Sequence, residues 1–255
     1  MFSAADLIAS IESYYWPFMR VSALFLASPI FSASAFPVRS RVVLAVVVTV
    51  LIAPSLPEFP TVDFFGPQGL LLAGQQVLIG LAMGFTMQMV FASVVIAGQT
   101  LAMTMGLGFA MSVDPQNGVQ VPVLSQLYMI LSTLIFLAIN GHLQLIRFLT
   151  NSFSLMPVGL SGWRDDFSLD VVLWASQMFM SGLLLALPAL TTVLLINIVF
   201  GVITRSAPQL NIFAVGFPVT IFAGFAFILL TMPSVVSGLV DLFDKGLAQT
   251  VKILH

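Results

Sequence analysis

The sequence predicts an all-α protein made of long, kinked hydrophobic helices and helical hairpins. Of the 255 residues, 59% are hydrophobic and only 7% are charged, whereas about a quarter of the residues in an ordinary soluble domain are charged. Four runs without Asp, Glu, Lys or Arg are 32 to 50 residues long, and each exceeds the roughly 20 apolar residues that a spanning helix requires. Backbone groups in an apolar medium must pair within their own segment, and these runs are too long for barrel strands. We therefore expect a helical membrane protein or a member of a membrane complex.

The first two apolar runs are shorter than the others. Residues 21–38 are interrupted by Pro29 and Pro37, and residues 42–57 form a run of only 16 residues between an arginine and a glutamate. These runs predict short elements at the start of the chain.

The first long run, residues 64–113, carries small residues at helical spacing. The string "GLAMG" places Gly80 and Gly84 four positions apart, and Gly98 with Ala102 repeats this spacing. Small side chains on one helix face allow a second helix to approach closely. Tight helix packing is the prediction for this segment.

A polar patch follows the second long run, residues 115–146. The string "NSFSLMPVGLSGWRDDFSLD", residues 151–170, combines a proline, two glycines and four charges, which is typical of a loop. We divide the chain here into segments 1–165 and 166–255.

Prolines interrupt the last two long runs, residues 171–204 and 206–240. They are Pro188, Pro208, Pro218 and Pro233. Because proline removes a backbone donor and crowds the preceding turn, kinked or broken helices are predicted at these positions.

The charged and catalytic residue types exclude several classes of function. The net charge is −2 and the eight Lys and Arg residues are scattered, so no basic stripe is available for nucleic acid. Only two histidines and no cysteine occur, and no Walker loop, H-E-x-x-H or G-x-S-x-G string is present. We therefore predict no enzyme activity, no metal and no cofactor. Asp165, Asp166 and Asp170 lie beside Arg164, which is typical of a solvated patch.

The distribution of positive charge does not orient the chain in a bilayer. If each main run crossed once, three Lys or Arg residues would lie on one side and five on the other, a bias too weak to decide. The sequence therefore leaves open whether lipid or other protein surrounds the helices.

Amides and one histidine are the notable polar groups within the apolar runs. Gln88 and Gln99 are eleven positions apart, about three helical turns, and so share a helix face. Interhelical hydrogen bonding is the favoured interpretation, and an amide-lined wet pathway is the alternative. His142 follows Asn140 at the end of an apolar run. A structural hydrogen bond is favoured for its ring over a proton relay.

The segment "GLGFAMSVDPQNGVQVP", residues 106–122, joins the first two long runs. Its glycines allow unusual backbone angles, and its Asp-Pro and Asn-Gly pairs are turn dipeptides. A solvent-exposed loop would not carry the apolar row Leu107, Phe109, Ala110, Met111 and Val113. From the residues alone, an ordinary interhelical turn is favoured over a buried, plugging segment.

Three strings resemble a known family. "AGQTLAMTMGLGFAMSVDPQ", "PVLSQLYMILSTLIFLAINGH" and "RSAPQLNIFAVGFP" are similar to FliR, the flagellar export-gate family, whose relatives in injection devices are called SctT. The resemblance extends from about Trp16 to Val240. The string "NIFAVGFP" resembles the flagellar members more than the injection-device members.

The resemblance implies an export gate in the bacterial inner membrane, at the flagellar basal body. A FliP-like helical segment, residues 1–165, would be followed by a FliQ-like hairpin and tail, residues 166–255. Several FliP-like and FliQ-like subunits would complete the gate. FlhB-like and FlhA-like export proteins, basal-body rod proteins and unfolded export substrates are the further partners expected.

The resemblance also implies roles for individual residues. The family's pore plug falls on residues 106–122, with Gly106, Leu107, Gly108, Phe109, Ala110, Met111, Val113, Asp114 and Pro115 as its members. Subunit contacts or helix breaks are implied for Asn140, His142, Pro208, Gln209 and Asn211. We add Gln88 and Gln99 to this contact set because of their shared helix face. The alternative function is a polytopic solute or ion transporter of another class, with a midplane site between helices broken at Pro188, Pro208 and Pro218.

Overall fold

The computed structural model describes residues 4–33, 36–57, 59–60, 62, 66–107, 122–159, 167–206 and 212–254. Within these ranges the secondary structure is helical and contains no strand, which confirms the all-α prediction. The helices are α1 (Ala4–Ala27), α2 (Val38–Ile52), α3 (Pro67–Thr104), α4 (Val123–Ala138), α5 (Gly141–Leu155), α6 (Phe167–Ser206) and α7 (Ile212–Lys252). A short 3₁₀ turn, Ala53–Ser55, follows α2.

Two boundaries differ from the charge-free runs. Helix α1 covers Ala4–Ala27 and so begins well before the first apolar run at residue 21. Charged residues interrupt an apolar run, but they do not stop a helix. The run 115–146 contains α4 and only the first part of α5, and the two helices are separated at Asn140. This residue has φ 57° and ψ 29°, a left-handed conformation that asparagine tolerates better than most residues.

The prolines of the last two helices do not break them. Helix α6 continues through Pro188, and α7 continues through Pro218 and Pro233. Each proline removes one backbone hydrogen bond. A helix of 40 or 41 residues tolerates this loss because many other backbone hydrogen bonds remain. Pro208 lies outside the described residues.

The chain forms two compact units from discontinuous segments. The first contains residues 1–89, 140–175 and 244–255. Its helices α1 and α3 run parallel, and a Cβ on Gly84 would lie 2.5 Å from Cβ of Ala27. This contact confirms the tight packing predicted for the glycine pair.

The second unit contains residues 90–139 and 176–243. Its core includes three phenylalanine rings, from α3, α4 and α7. The centroids of Phe91 and Phe136 are 5.8 Å apart, those of Phe91 and Phe243 5.3 Å, and those of Phe136 and Phe243 5.0 Å. Gly98 of α3 also lies against Ser125 of α4, since a Cβ on Gly98 would be 2.6 Å from the Ser125 Cα. The division of the sequence at residue 165 stays a prediction.

Candidate functional site

The C-terminal end of α3 has a defined geometry where it leads into residues 106–122. Gly106 has φ +81°, its N–H donates to the Met103 carbonyl at 3.1 Å, and the Leu107 N–H donates to the Ala102 carbonyl at 2.9 Å. This pair of bonds is the Schellman motif, in which the residue after the helix adopts the left-handed conformation. A residue with a Cβ is strained in this conformation.

The last helical carbonyl of α3 is bound by a side chain of α6. The Asn197 Nδ2 donates to the Thr104 oxygen at 3.3 Å. Final carbonyls of a helix have no partner within the helix, so this amide satisfies a group that the Schellman motif leaves over.

Helix α7 lies against the next two residues of the chain. A Cβ on Gly106 would be 2.8 Å from Cε2 of Phe217, and a Cβ on Gly224 would be 2.6 Å from Cε of Met105. Met105 is fully buried. The end of α3 therefore contacts both α6 and α7.

Most of the predicted plug lies outside the described residues. Only Gly106, Leu107 and Pro122 of segment 106–122 are described. The other plug members are not described; they are Gly108, Phe109, Ala110, Met111, Val113, Asp114 and Pro115. The contact set, to which we assigned subunit contacts or helix breaks, also loses three members, Pro208, Gln209 and Asn211, which lie outside the described residues. Their assigned roles stay predictions.

The four described members of the contact set lie at or near the surface of the chain. Gln88, Gln99 and Asn140 are exposed, and His142 is half-buried. The His142 Nδ1 is enclosed and accepts or donates no hydrogen bond within the described part of the chain. Gln88 and Gln99 of α3 thus point away from this chain's own core.

Sequence reasoning missed a buried arginine in the first unit. Arg20 of α1 is fully buried. Its Nε and Nη2 both donate to the Gln76 Oε1 of α3, the former at 2.8 Å. Nη1 donates to the Ser152 Oγ at 2.8 Å, and Nη2 donates also to the Met156 carbonyl at 2.8 Å.

The electrostatics of this cluster rest on neutral acceptors. The Arg20 guanidinium carbon lies 4.0 Å from the centre of the Phe153 ring, at cation–π distance. Burial lowers the pKa of Arg20 to about 9, because desolvation disfavours the charged form. The guanidinium therefore remains charged at neutral pH. A signal for it was present in the sequence, namely one cation in an aromatic-rich stretch and the paired glutamines at 75 and 76.

The described helices contain several candidates for membrane spans. Val38–Ser55, Pro67–Thr104, Leu169–Ser206 and Val215–Lys252 are long and apolar enough to cross a bilayer, and α4 with α5 would make a fifth span. In the most apolar stretch of α3, 67% of the residues are buried, against 17% in α6 and 22% in α7. The outer faces of α6 and α7 thus leave much apolar surface uncovered by this chain.

Comparison with known proteins identifies the family. Residues 11–246 match the bacterial export proteins, family 1. The flagellar biosynthetic protein FliR of Escherichia coli (strain K12) is 42% identical over 237 residues, which cover 92% of this chain and 90% of that protein. The chain belongs to the FliR family of flagellar export proteins.

Further FliR proteins are similar to this chain over most of their length. FliR of Pectobacterium carotovorum subsp. carotovorum is 37% identical over 232 residues, covering 91% of this chain and 88% of that protein. FliR of Bacillus subtilis (strain 168) is 28% identical over 230 residues, covering 89% and 88%. The resemblance seen in the three sequence strings is confirmed, and the chain is a membrane-embedded component of the flagellar export apparatus.

Proposed function

We propose that this chain forms part of the wall of the flagellar protein-export gate and that residues 106–122 close its passage. The observation that carries the proposal is the hydrogen-bonded turn at Gly106, where α3 ends. In the sequence, this turn leads directly into the apolar row that contains Phe109 and Met111. An apolar constriction excludes water and hydrated ions. Glycine and methionine in the same segment let it yield to a polypeptide, because both adapt to different packing.

The uncovered faces of α6 and α7 support an assembly role. Apolar surface left in water costs about 25 cal/mol per Å², and most of the apolar stretch of each helix is not buried within the chain. We infer that FliP-like and FliQ-like subunits cover part of these faces and that lipid of the bacterial inner membrane covers the rest. FlhB-like and FlhA-like proteins and the basal-body rod would bind the completed gate.

We infer that a face of α3 with both apolar and polar side chains is a further surface for such subunits. Ile96, Gln99, Thr100, Met103 and Thr104 line a shallow open groove, and Met103 is 54% exposed. An unbranched thioether next to amide and hydroxyl groups suits a contact that combines apolar packing with hydrogen bonds.

The composition of the assembly is tested by co-purification. A tagged copy of the chain, extracted in mild detergent, should retain FliP-like and FliQ-like subunits in one particle. Recovery of the tagged chain alone from cells that carry a working flagellum would contradict the proposed assembly.

Closure is tested by ion leakage through the assembled gate. Phe109→Ala, or deletion of residues 106–111, should raise the conductance of membranes that hold the gate, because the apolar seal is weakened while the helices remain. Asn117→Ala in the polar half of the same segment is the matched control and should stay at background. Background conductance for Phe109→Ala in a fully assembled gate would contradict the closing role.

The transporter alternative depended on broken helices at Pro188, Pro208 and Pro218. Helices α6 and α7 pass through Pro188 and Pro218 without interruption. Half-helix ends that would bind a solute at midplane are therefore not formed at these two positions.

A further inference from the structure

We propose that the hairpin formed by α6 and α7 positions the segment that follows α3, through a clasp made of Asn197, Phe217 and Gly224. The clasp holds residues 104–106, and all of these groups lie in the second compact unit. The clasp deepens the proposed closing role and rests on that role only for the function of the segment that it positions. The contacts that form the clasp do not depend on that role.

The hydrogen bonds at the end of α3 show why the clasp matters. The carbonyls of Leu101, Ala102 and Met103 accept the N–H groups of Met105, Leu107 and Gly106, respectively. The Thr104 carbonyl accepts the Asn197 amide of α6. Because these carbonyls are where a helix lacks partners of its own, the structure completes the end of α3 with a donor from the hairpin.

One face of α7 makes the second half of the clasp. Phe217 and Gly224 are seven residues apart, so they lie on the same face of the helix. Phe217 places its ring against Gly106, and Gly224 leaves the space that the Met105 side chain occupies. Gly106, with φ +81°, is the position where the chain turns out of the helix.

The hairpin is also seated on α3 further from the turn. A Cβ on Gly182 of α6 would lie 2.7 Å from the Ser93 carbonyl oxygen, and Phe243 of α7 contacts Phe91. With contacts at two levels, α6 and α7 fix both the axis of α3 and the direction in which the chain leaves it. Asn197, Phe217 and Gly224 are thus positioning residues for the segment after Gly106.

The test uses a thiol reporter, since the natural chain has no cysteine. The Ser112→Cys variant, assembled in membranes, is labelled with a membrane-impermeant maleimide and the labelling rate is measured. We then add Asn197→Leu, Phe217→Ala or Gly224→Ala to this reporter variant. Each substitution should change the labelling rate several-fold, because the start of the segment is no longer held in place. Gln177→Leu and Phe222→Ala are matched controls on the same two helices and should leave the rate unchanged. Gln177 is exposed and Phe222 is 80% exposed.

A paired substitution guards against a variant that does not assemble. Gly224→Ala adds a methyl group where Met105 lies, and Met105→Ala removes the obstructing side chain. The double variant should regain assembly and move the labelling rate back toward that of the reporter alone. Failure of the pair to improve on Gly224→Ala would contradict the clasp.

The clasp and the closing role fail in different ways. If Phe109→Ala leaks while the three clasp variants label at the rate of the reporter alone, the clasp is wrong and the closing role stands. If the clasp variants change labelling while Phe109→Ala does not leak, the clasp is supported and the closing role is wrong.

Discussion

Gly80 of α3 and Arg20 of α1 are in direct contact through their backbones, since a Cβ on Gly80 would collide with the Arg20 carbonyl oxygen. The side chain of the same arginine reaches Gln76, one helical turn earlier on α3. Helix α1 is therefore held on α3 by close backbone packing and by buried hydrogen bonds at the same level.

Gly80→Ala should destabilise the first unit. The added methyl group meets backbone atoms of α1, which cannot move aside without separating the helices, and overpacking of this kind costs about 1–3 kcal/mol. Thermal unfolding of the purified protein in detergent measures the effect.

Gly74→Ala is the matched control in the same helix. Nothing lies within 4 Å of the position its Cβ would occupy, so its stability should stay constant or rise by up to about 1 kcal/mol. Equal effects of the two variants would contradict the packing account.

Arg20→Met should lower the free energy of unfolding by about 2–4 kcal/mol. The substitution leaves the Gln76, Ser152 and Met156 oxygens without their shared donor, and buried acceptors without partners are costly. Arg147→Met, at an exposed arginine of α5, should change stability by less than about 0.5 kcal/mol. A similar loss for both arginines would show that the buried cluster contributes nothing specific.

Gln76→Glu tests whether a negative charge beside the buried Arg20 guanidinium stabilises the protein. A carboxylate at this position keeps an acceptor for Arg20 and adds an opposite charge in a low-dielectric setting, where a hydrogen-bonded pair is stronger than a neutral contact. Its unfolding temperature should exceed that of Gln76→Leu, which removes the acceptor and leaves the charge unpaired. The reverse order in the same melting experiment would overturn the assignment of Gln76 as the main partner of Arg20.

Gly106→Ala should weaken the turn at the end of α3. A φ of +81° costs an L-residue roughly 1–2 kcal/mol, and the new methyl group would also press on Phe217. The expected results are a lower unfolding temperature and a changed labelling rate of the Ser112→Cys reporter. Gly201→Ala, where a Cβ meets nothing within 4 Å, is the control. An unaltered labelling rate for Gly106→Ala would show that the turn does not direct the segment.

The helical architecture could be predicted because its cause is local. Long charge-free runs require internally paired backbone, and they predicted α3 and α6 nearly in full and α7 as far as residue 240. The start of α1 was missed because charge was used as a boundary. The apolar pattern alone did not place the division between α4 and α5, because this division depends on one left-handed residue, Asn140, inside a continuous apolar run. A subunit contact or helix break at Asn140 was implied only by the family resemblance.

The surroundings of the candidate site could be predicted only in part. The glycines at 80, 84 and 98 indicated close approach from their spacing alone, since spacing defines a helix face. The contacts of Arg20 with Ser152, and of Asn197 with Thr104, join residues more than 90 positions apart. Such pairs depend on how the helices are arranged in space, which the pattern of a single sequence does not contain.

Cross-linking of a stalled cargo tests the central claim most directly. A photo-reactive phenylalanine analogue is placed at Phe109 in one strain and, as the control, at Phe222 in another. An export substrate fused to a tightly folded domain is then arrested in the gate. We expect the analogue at Phe109 to cross-link to the arrested substrate and the analogue at Phe222 to yield subunit or lipid adducts alone. Cross-links to the substrate from neither position, in gates that hold an arrested substrate, would contradict a closing segment in the export passage.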